Sequence, residues 1–428
     1  MAAAIHALVE KHRPDLSPYQ ALYKHFHANP ELSNQEHETA ATIAKHLSST
    51  LPPAFDVRTG IGGTGIAALL SNSAGPTVLL RADFDALPVE EKTGLPYAST
   101  KRMRDADGVE KPVMHACGHD MHITSLLAAA ELLVAARESW AGTLVLVFQP
   151  AEERGTGAQA MVDDGLYTTH RVPHPDVVLG AHVMPHRAGV IGTRRGLVAT
   201  SADSLRITLH GRGGHASMPH HLVDPVVMAA STILKLQTIV SREMDPWDTA
   251  VVTVASVQAG DAENIVVDDA RLAVDVRCTN PKAREKIKKS IKRIVDAESL
   301  AGNAVKEPTY TVTRIFPLTV NDDAVTAKLE ESFAAHFEVG EKGYTTEIAK
   351  LGGSEDFSNL ATAVGKPYSF FMYGGVDPEV WDRCAAAGTL GEEIAINHSA
   401  LFAPVVMPTL QVACDGYAVG ALTWLVKR

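Results

Sequence analysis

Two hydrophobic patterns alternate along the chain. Short unbroken apolar runs read as buried strands, and stretches with apolar residues three and four apart read as amphipathic helices. Ser17-Pro18 predicts a helix running to Ala28, which Asn29-Pro30 stops. Ala40, Ile43, Ala44 and Leu47 place a second helix over residues 36–48. Residues 64–70 and 77–80 read as buried strands, 120–136 as a helix, and TLVLVFQ (143–149) and DVVLGAHV (176–183) as further strands. Buried strands separated by helices indicate an α/β layer with a largely parallel sheet, whose strand ends are the usual place for a site.

A different order begins near residue 195. SLRITLH (204–210) predicts a strand, 224–241 a helix, AVVTVASVQ (250–258) and RLAVDVRC (271–278) a hairpin pair, 281–299 a charged amphipathic helix and TYTVTRI (309–315) a last strand. This β-α-β-β-α-β order is the ferredoxin-like unit. It predicts an α+β domain over 195–315, inserted between two parts of the α/β domain, 1–194 and 316–428. The second part contributes a helix over 323–337, a strand over 368–374 and a terminal helix rich in Ala, Val and Leu.

Composition removes several function classes. The 50 acidic residues outnumber the 39 basic ones, a formal charge of −11 with neutral His, and no dense Lys/Arg run exists. That balance excludes an electrostatic footprint for nucleic acid. Glu10, Lys11, His12 and Arg13 interrupt the apolar start, unlike a secretory signal, and no later segment is a membrane-spanning run. The expectation is a soluble, cytoplasmic protein with no membrane partner. Cysteines 117, 278, 384 and 414 are too dispersed for a disulfide framework or a zinc knuckle.

The chemistry concentrates at predicted strand ends. MHACGHDMH (114–122) presents Cys117 and His119 on a short Gly-containing loop, with Asp120 and His122 nearby. Thiolate and neutral imidazole suit Zn²⁺, and imidazole also serves Mn²⁺, Co²⁺ or Ni²⁺. Glu152 and Glu153 stand just beyond the strand ending at Gln149, where one carboxylate can ligate a metal while its neighbour accepts a proton. His182 ends the next strand, and His398 in INHSALF is a candidate closing ligand. Ser354, beside Glu355 and Asp356, has no sequence-defined His partner, which argues against a serine hydrolase.

These stretches, with HANPELS (27–33), RADFDALPVEE (81–91), FQPAEE (148–153), GAHVMP (180–185), GRGGHASMPH (211–220), GGSEDF (352–357) and NHS (397–399), run nearly the whole chain. In that order they resemble the M20 metallopeptidase superfamily, particularly the amidohydrolase branch of hippurate hydrolases and plant auxin-conjugate (IAA-amino acid) hydrolases. The resemblance implies a mixed-sheet α/β catalytic domain with the inserted domain as lid and dimerisation module. It implies two divalent ions per subunit, Mn or Zn, with Co or Ni as further candidates, held by Cys117, His119, Glu153, His182 and His398. Glu152 matches the general base, and His215 matches a histidine that stabilises the oxyanion, commonly across a homodimer.

Asn264 and Arg277 match substrate-orienting positions, and a guanidinium suits a bidentate bond to a substrate carboxylate. Gly353 allows backbone approach to a ligand. Asp83 and Asp120 are candidate acceptors that orient ligand histidines, with Asp85 the weaker candidate. The expected reaction is metal-dependent hydrolysis of a small anionic N-acyl amino acid. The alternatives are a dipeptidase or short-peptide carboxypeptidase of the same superfamily, and an inactive metal-binding scaffold.

Overall fold

The computed structural model describes residues 1–51 and 55–427. They form two compact units, the first of residues 1–198, 320–350 and 356–428, the second of 199–319 with 351–355.

The first unit is built on an eight-stranded sheet. Its centre runs Gly142–Gln149, Thr77–Asp83, Val177–Arg187, Tyr368–Val376, all parallel. Asp56–Ile61 and Gly65–Asn72 complete one side as antiparallel neighbours, and Ile191–Gly192 and Tyr344–Thr345 complete the other. The sheet is therefore mixed: its four-stranded centre is parallel and built of continuous apolar runs, and the short edge strands Ile191–Gly192 and Tyr344–Thr345 also pair in parallel. Leu144 to Phe148 are all fully buried, with no alternation, because helices cover both faces of such strands. The helices His119–Ala135 and Thr409–Leu425 pack on each other and on Thr77–Asp83. His119–Ala135 buries 14 residues, so its sequence is apolar all round rather than amphipathic.

The second unit is a four-stranded antiparallel sheet in the order Ala250–Gln258, Asp269–Cys278, Ser201–His210, Thr309–Phe316. Numbered along the chain, that order is second, third, first, fourth, the ferredoxin-like arrangement. Ala270, Leu272, Val274, Val276 and Cys278 alternate with more exposed residues, so one face of the sheet is buried against two helices. Those helices, Pro225–Thr238 and Pro281–Ala301, start alike. Each has Pro at its first position, and Asp224 and Asn280 accept the first free N–H groups on their side chains.

Most predicted elements are present within a few residues, but some differ. The strand Asp56–Ile61 escaped the periodicity because three of its six residues are exposed, Arg58 is charged, and its edge position needs no apolar face. The two strands expected as a hairpin do pair, but Ile265–Val266 between them turns aside to pair with Gly214–His215. Residues 351–355, assigned by sequence pattern to the α/β domain, pack in the second unit. Among the described residues, no helix is long and apolar enough to cross a membrane.

Candidate metal centre

Four segments of the first unit bring the ligand-type residues together: the loop into the helix beginning at His119, the turn after Gly142–Gln149, the middle of the strand Val177–Arg187 and the turn at His398. Cys117 and His119 flank Gly118, which takes φ +79° as the cap of the helix beginning at His119. A Cβ there would stand 2.4 Å from Val183 Cγ1, so the position needs glycine both for its backbone and for its space. Sγ of Cys117 is 3.5 Å from Nε2 of His182. Nε2 of His119 is 3.8 Å from Oε1 of Glu153, whose Oε2 is 3.3 Å from Nε2 of His398. Two groups share Cys117: one with His119 and His182, the other with Glu153 and His398, each with its ligand atoms within 4.8 Å of one another. The second histidine group is completed from a strained backbone, since His398 sits at φ +70° and is pinned by its N–H to Ala116 O at 2.7 Å.

The bonds behind the histidines decide which nitrogen faces the cluster. His119 Nδ1 lies 2.9 Å from Asp85 O and His182 Nδ1 2.7 Å from Val183 O, so each donates from Nδ1 and presents the Nε2 lone pair. His122 is different, although it lies close to Asp83 and His119. Its Nδ1 meets Asp83 Oδ1, and its Nε2 accepts the Val183 N–H at 2.9 Å. Both nitrogens are engaged, so His122 supports the strand that carries His182 and ligates nothing.

The loop after Gln149 is held by two buried carboxylates. Asp85 accepts the N–H groups of Glu152 and Glu153, both at 3.1 Å, and Ser33 Oγ donates to it as well. Glu36 accepts the Ala151 N–H at 3.0 Å, and burial pushes its pKa up to about 7. Ala151 takes φ +48°, and a Cβ on Gly157 would fall 1.5 Å from Pro150 O. The chain is thus folded tightly enough to set both glutamates at the cluster. Below them Arg81, fully buried, donates to Gln149 and Asp83 at 2.8 Å each, and Gln149 donates to Asp356 at 2.6 Å.

The donor set fits a pair of divalent cations. His119 Nε2 and Glu153 Oε1 are buried without a hydrogen-bond partner, a costly state for polar atoms unless a cation takes them. With only protein groups to balance the charge, His398 is driven up to about 10 by Cys117 and Glu153, and burial drives the Cys117 thiol up. Protons are held where the lone pairs converge. Thiolate, imidazole and carboxylate are together the ligand types of zinc and related ions. A dinuclear metal-binding cluster is present.

Family comparison agrees with this geometry. The profile of Peptidase family M20/M25/M40 matches residues 79–386. The chain belongs to the M20 family. It is 35% identical over 378 residues to N-acetyl-L-cysteine deacetylase of Bacillus subtilis, covering 88% of this chain and 84% of that one. It is 37% identical over 358 residues to hippurate hydrolase of Campylobacter jejuni, covering 82% and 87%. The YXEP protein of Bacillus subtilis, described as a dinuclear metal binding peptidase from the M20 family, superposes with TM-score 0.71 at 25% identity over 95% of this chain and 97% of that one. Within the M20 family the chain lies on the amidohydrolase branch, alongside hippurate hydrolase and the IAA-amino acid hydrolases. It is a metal-dependent hydrolase of α/β fold with an inserted sheet-rich subdomain.

The other expected residues fall into two places. Asp83 does contact a histidine of the motif, but Asp120 bonds His27 Nδ1 at 2.7 Å and the Met121 N–H, not a ligand histidine. His215, Asn264, Arg277 and Gly353 all belong to the second unit. His215 and Asn264 are brought together there, with the Ala216 N–H donating to Asn264 O at 3.0 Å. Arg277 lies against the glycine pair, with NH1 donating to Gly352 O and Nε to Asp275, each at 3.0 Å. The expected fork is thereby partly engaged within the second unit. Sequence reasoning ranked Asp85 too low and passed over Glu36 and Gln149. Asp85 had a signal, its place two residues beyond Asp83 at the strand end; Glu36, in a polar stretch far from any motif, had none.

Proposed function

We propose that this chain hydrolyses the amide bond of small anionic N-acyl amino acids, giving a carboxylic acid and an amino acid. The observation that carries the reading is the pair of adjacent glutamates clamped by Asp85 beside the cluster, with Glu153 reaching two of its histidines and Glu152 next to it. In this reading Cys117, His119, Glu153, His182 and His398 hold two divalent ions, Mn or Zn with Co or Ni as further candidates. When bound, such ions polarise a carbonyl oxygen and make water more acidic. Glu152 accepts the proton of the attacking water and returns it to the departing amine nitrogen. Asp83, through His122 and Arg81, holds the strand ends in place.

The second unit supplies recognition. His215 Nδ1 accepts the Ser217 N–H at 3.2 Å, so its proton sits on Nε2, the form that donates to a developing oxyanion. Asn264 and Arg277 orient the substrate, Arg277 by charge toward its carboxylate, with Gly353 offering backbone. The active form is a homodimer in which His215 serves its partner. The relatives named for N-acetyl-L-cysteine and hippurate support an acylated amino acid as substrate. The family's peptidase description favours a second reading, hydrolysis of short peptides. A panel of N-acetyl, N-benzoyl and indoleacetyl amino acids against dipeptides separates the two. Turnover of the N-acyl compounds, lost on chelation and restored by metal, is expected; dipeptide cleavage without N-acyl turnover would reverse the assignment.

A further inference from the structure

A second cluster of ligand type lies in the first unit, between the helices Ala2–His12 and Asp323–His336. His6 and Glu10 are one turn apart and share a face of the first helix. His336 is the last residue of the other. The two imidazoles meet through their Nδ1 atoms, 3.1 Å apart. Ligand atoms of His6, Glu10 and His336 all lie within 4.8 Å of one another. Two nitrogens bound to one ion at ~2.0–2.1 Å stand roughly 2.9–3.4 Å apart at octahedral to tetrahedral angles, so this pair already has the spacing of co-ligands.

The support behind the pair is also that of a metal site. The His336 side chain is only 3% exposed, and its Nε2 lies 3.4 Å from Asp415 Oδ2. Arg13 grips that carboxylate through Nε at 2.8 Å and NH2 at 2.7 Å. A carboxylate behind the distal nitrogen orients the ring and keeps the proximal lone pair toward a metal. Glu10 also bonds Arg13. A carboxylate offers about four acceptor positions, so Glu10 can bridge the guanidinium and an ion.

We propose that His6, Glu10 and His336 form a third divalent-cation site, separate from the Cys117 centre, that joins two helices whose histidines are 330 residues apart. Two imidazoles and one carboxylate select Zn²⁺, Ni²⁺ or Cu²⁺ over Mn²⁺, and over the oxygen-seeking Mg²⁺ and Ca²⁺. An ion bound only by the folded chain also stabilises it by mass action.

The test counts zinc in tag-free, full-length protein equilibrated against buffered free Zn²⁺. Wild type is expected to hold three ions per chain, and His6→Gln two, with amide hydrolysis retained. Cys117→Ala is expected to lose zinc at the catalytic centre and keep the third ion. Titration should show the third site's affinity at least about tenfold weaker in His6→Gln and in Glu10→Gln. Both substitutions sit on the accessible face of a helix, so the test stands even if His336→Gln does not fold. A wild-type count of two, or a third ion bound equally well by His6→Gln, would overturn the proposal.

Discussion

Asp85 spends both its oxygens on the backbone of Glu152 and Glu153, and so fixes where two adjacent carboxylates begin. From there Glu153 reaches His119 and His398, and Glu152, beside it, is the base in the proposed reaction. Substituting Glu152→Gln keeps size and hydrogen bonding but removes the base. Turnover should fall on the order of 10²–10⁴-fold, with two metals still bound at the Cys117 centre. Metal analysis beside steady-state kinetics checks this; near-normal kcat would remove Glu152 from the chemistry. At this scale residue types were legible and bonds were not. Cys117, His119 and the glutamates announce themselves by chemistry, whereas Asp85 matters for backbone N–H groups 67 and 68 residues away.

At the scale of elements, His27 joins the helix Ser17–Ala28 to the start of His119–Ala135. It lies buried between Asp120, 2.7 Å from Nδ1, and Glu91, 3.0 Å from Nε2, with the Tyr23 and Tyr97 rings beside it. Burial opposes its charge, but bonds to the two carboxylates outweigh that and raise its pKa from 6.5 to about 9. A histidine whose folded pKa exceeds its unfolded one adds stability that is complete below about 6.5 and is lost as pH rises through about 9. Such a shift corresponds to about 3 kcal/mol. Wild type should therefore lose more thermal stability between pH 6.5 and 9.5 than His27→Gln does. Melting curves of the two across that range decide it, and parallel pH profiles would mean that His27 is neutral in the fold.

For the whole molecule, the reading of His215 as a residue that serves its partner makes a prediction that no single-chain property can mimic. His215→Ala and Glu152→Gln homodimers should each be strongly impaired. A heterodimer of the two contains one site with both groups intact, so mixing and reassociating them should restore up to about half of wild-type activity per mixed dimer. Absence of recovery in verified heterodimers with normal metal content would confine His215 to its own subunit or to no catalytic role. Open edge strands at Ala250–Gln258 and Thr309–Phe316 leave backbone groups for such an interface.

The sequence alone determined the order of elements, since hydrophobic period depends on neighbours a few residues away. Continuous apolar runs announced the parallel centre of the sheet, and the β-α-β-β-α-β order announced the ferredoxin-like sheet of the second unit. It also singled out the candidate ligands, because Cys117, His119, Glu153, His182 and His398 stand in motifs whose chemistry, with the family resemblance, points to a metal centre. Tertiary structure alone decided which nitrogen each histidine presents, that His122 is fully engaged while His119 Nε2 is not, and that Asp120 answers His27. It alone brought His6 to His336. These depend on bonds between segments far apart in the chain, where local pattern carries no information about partner or distance.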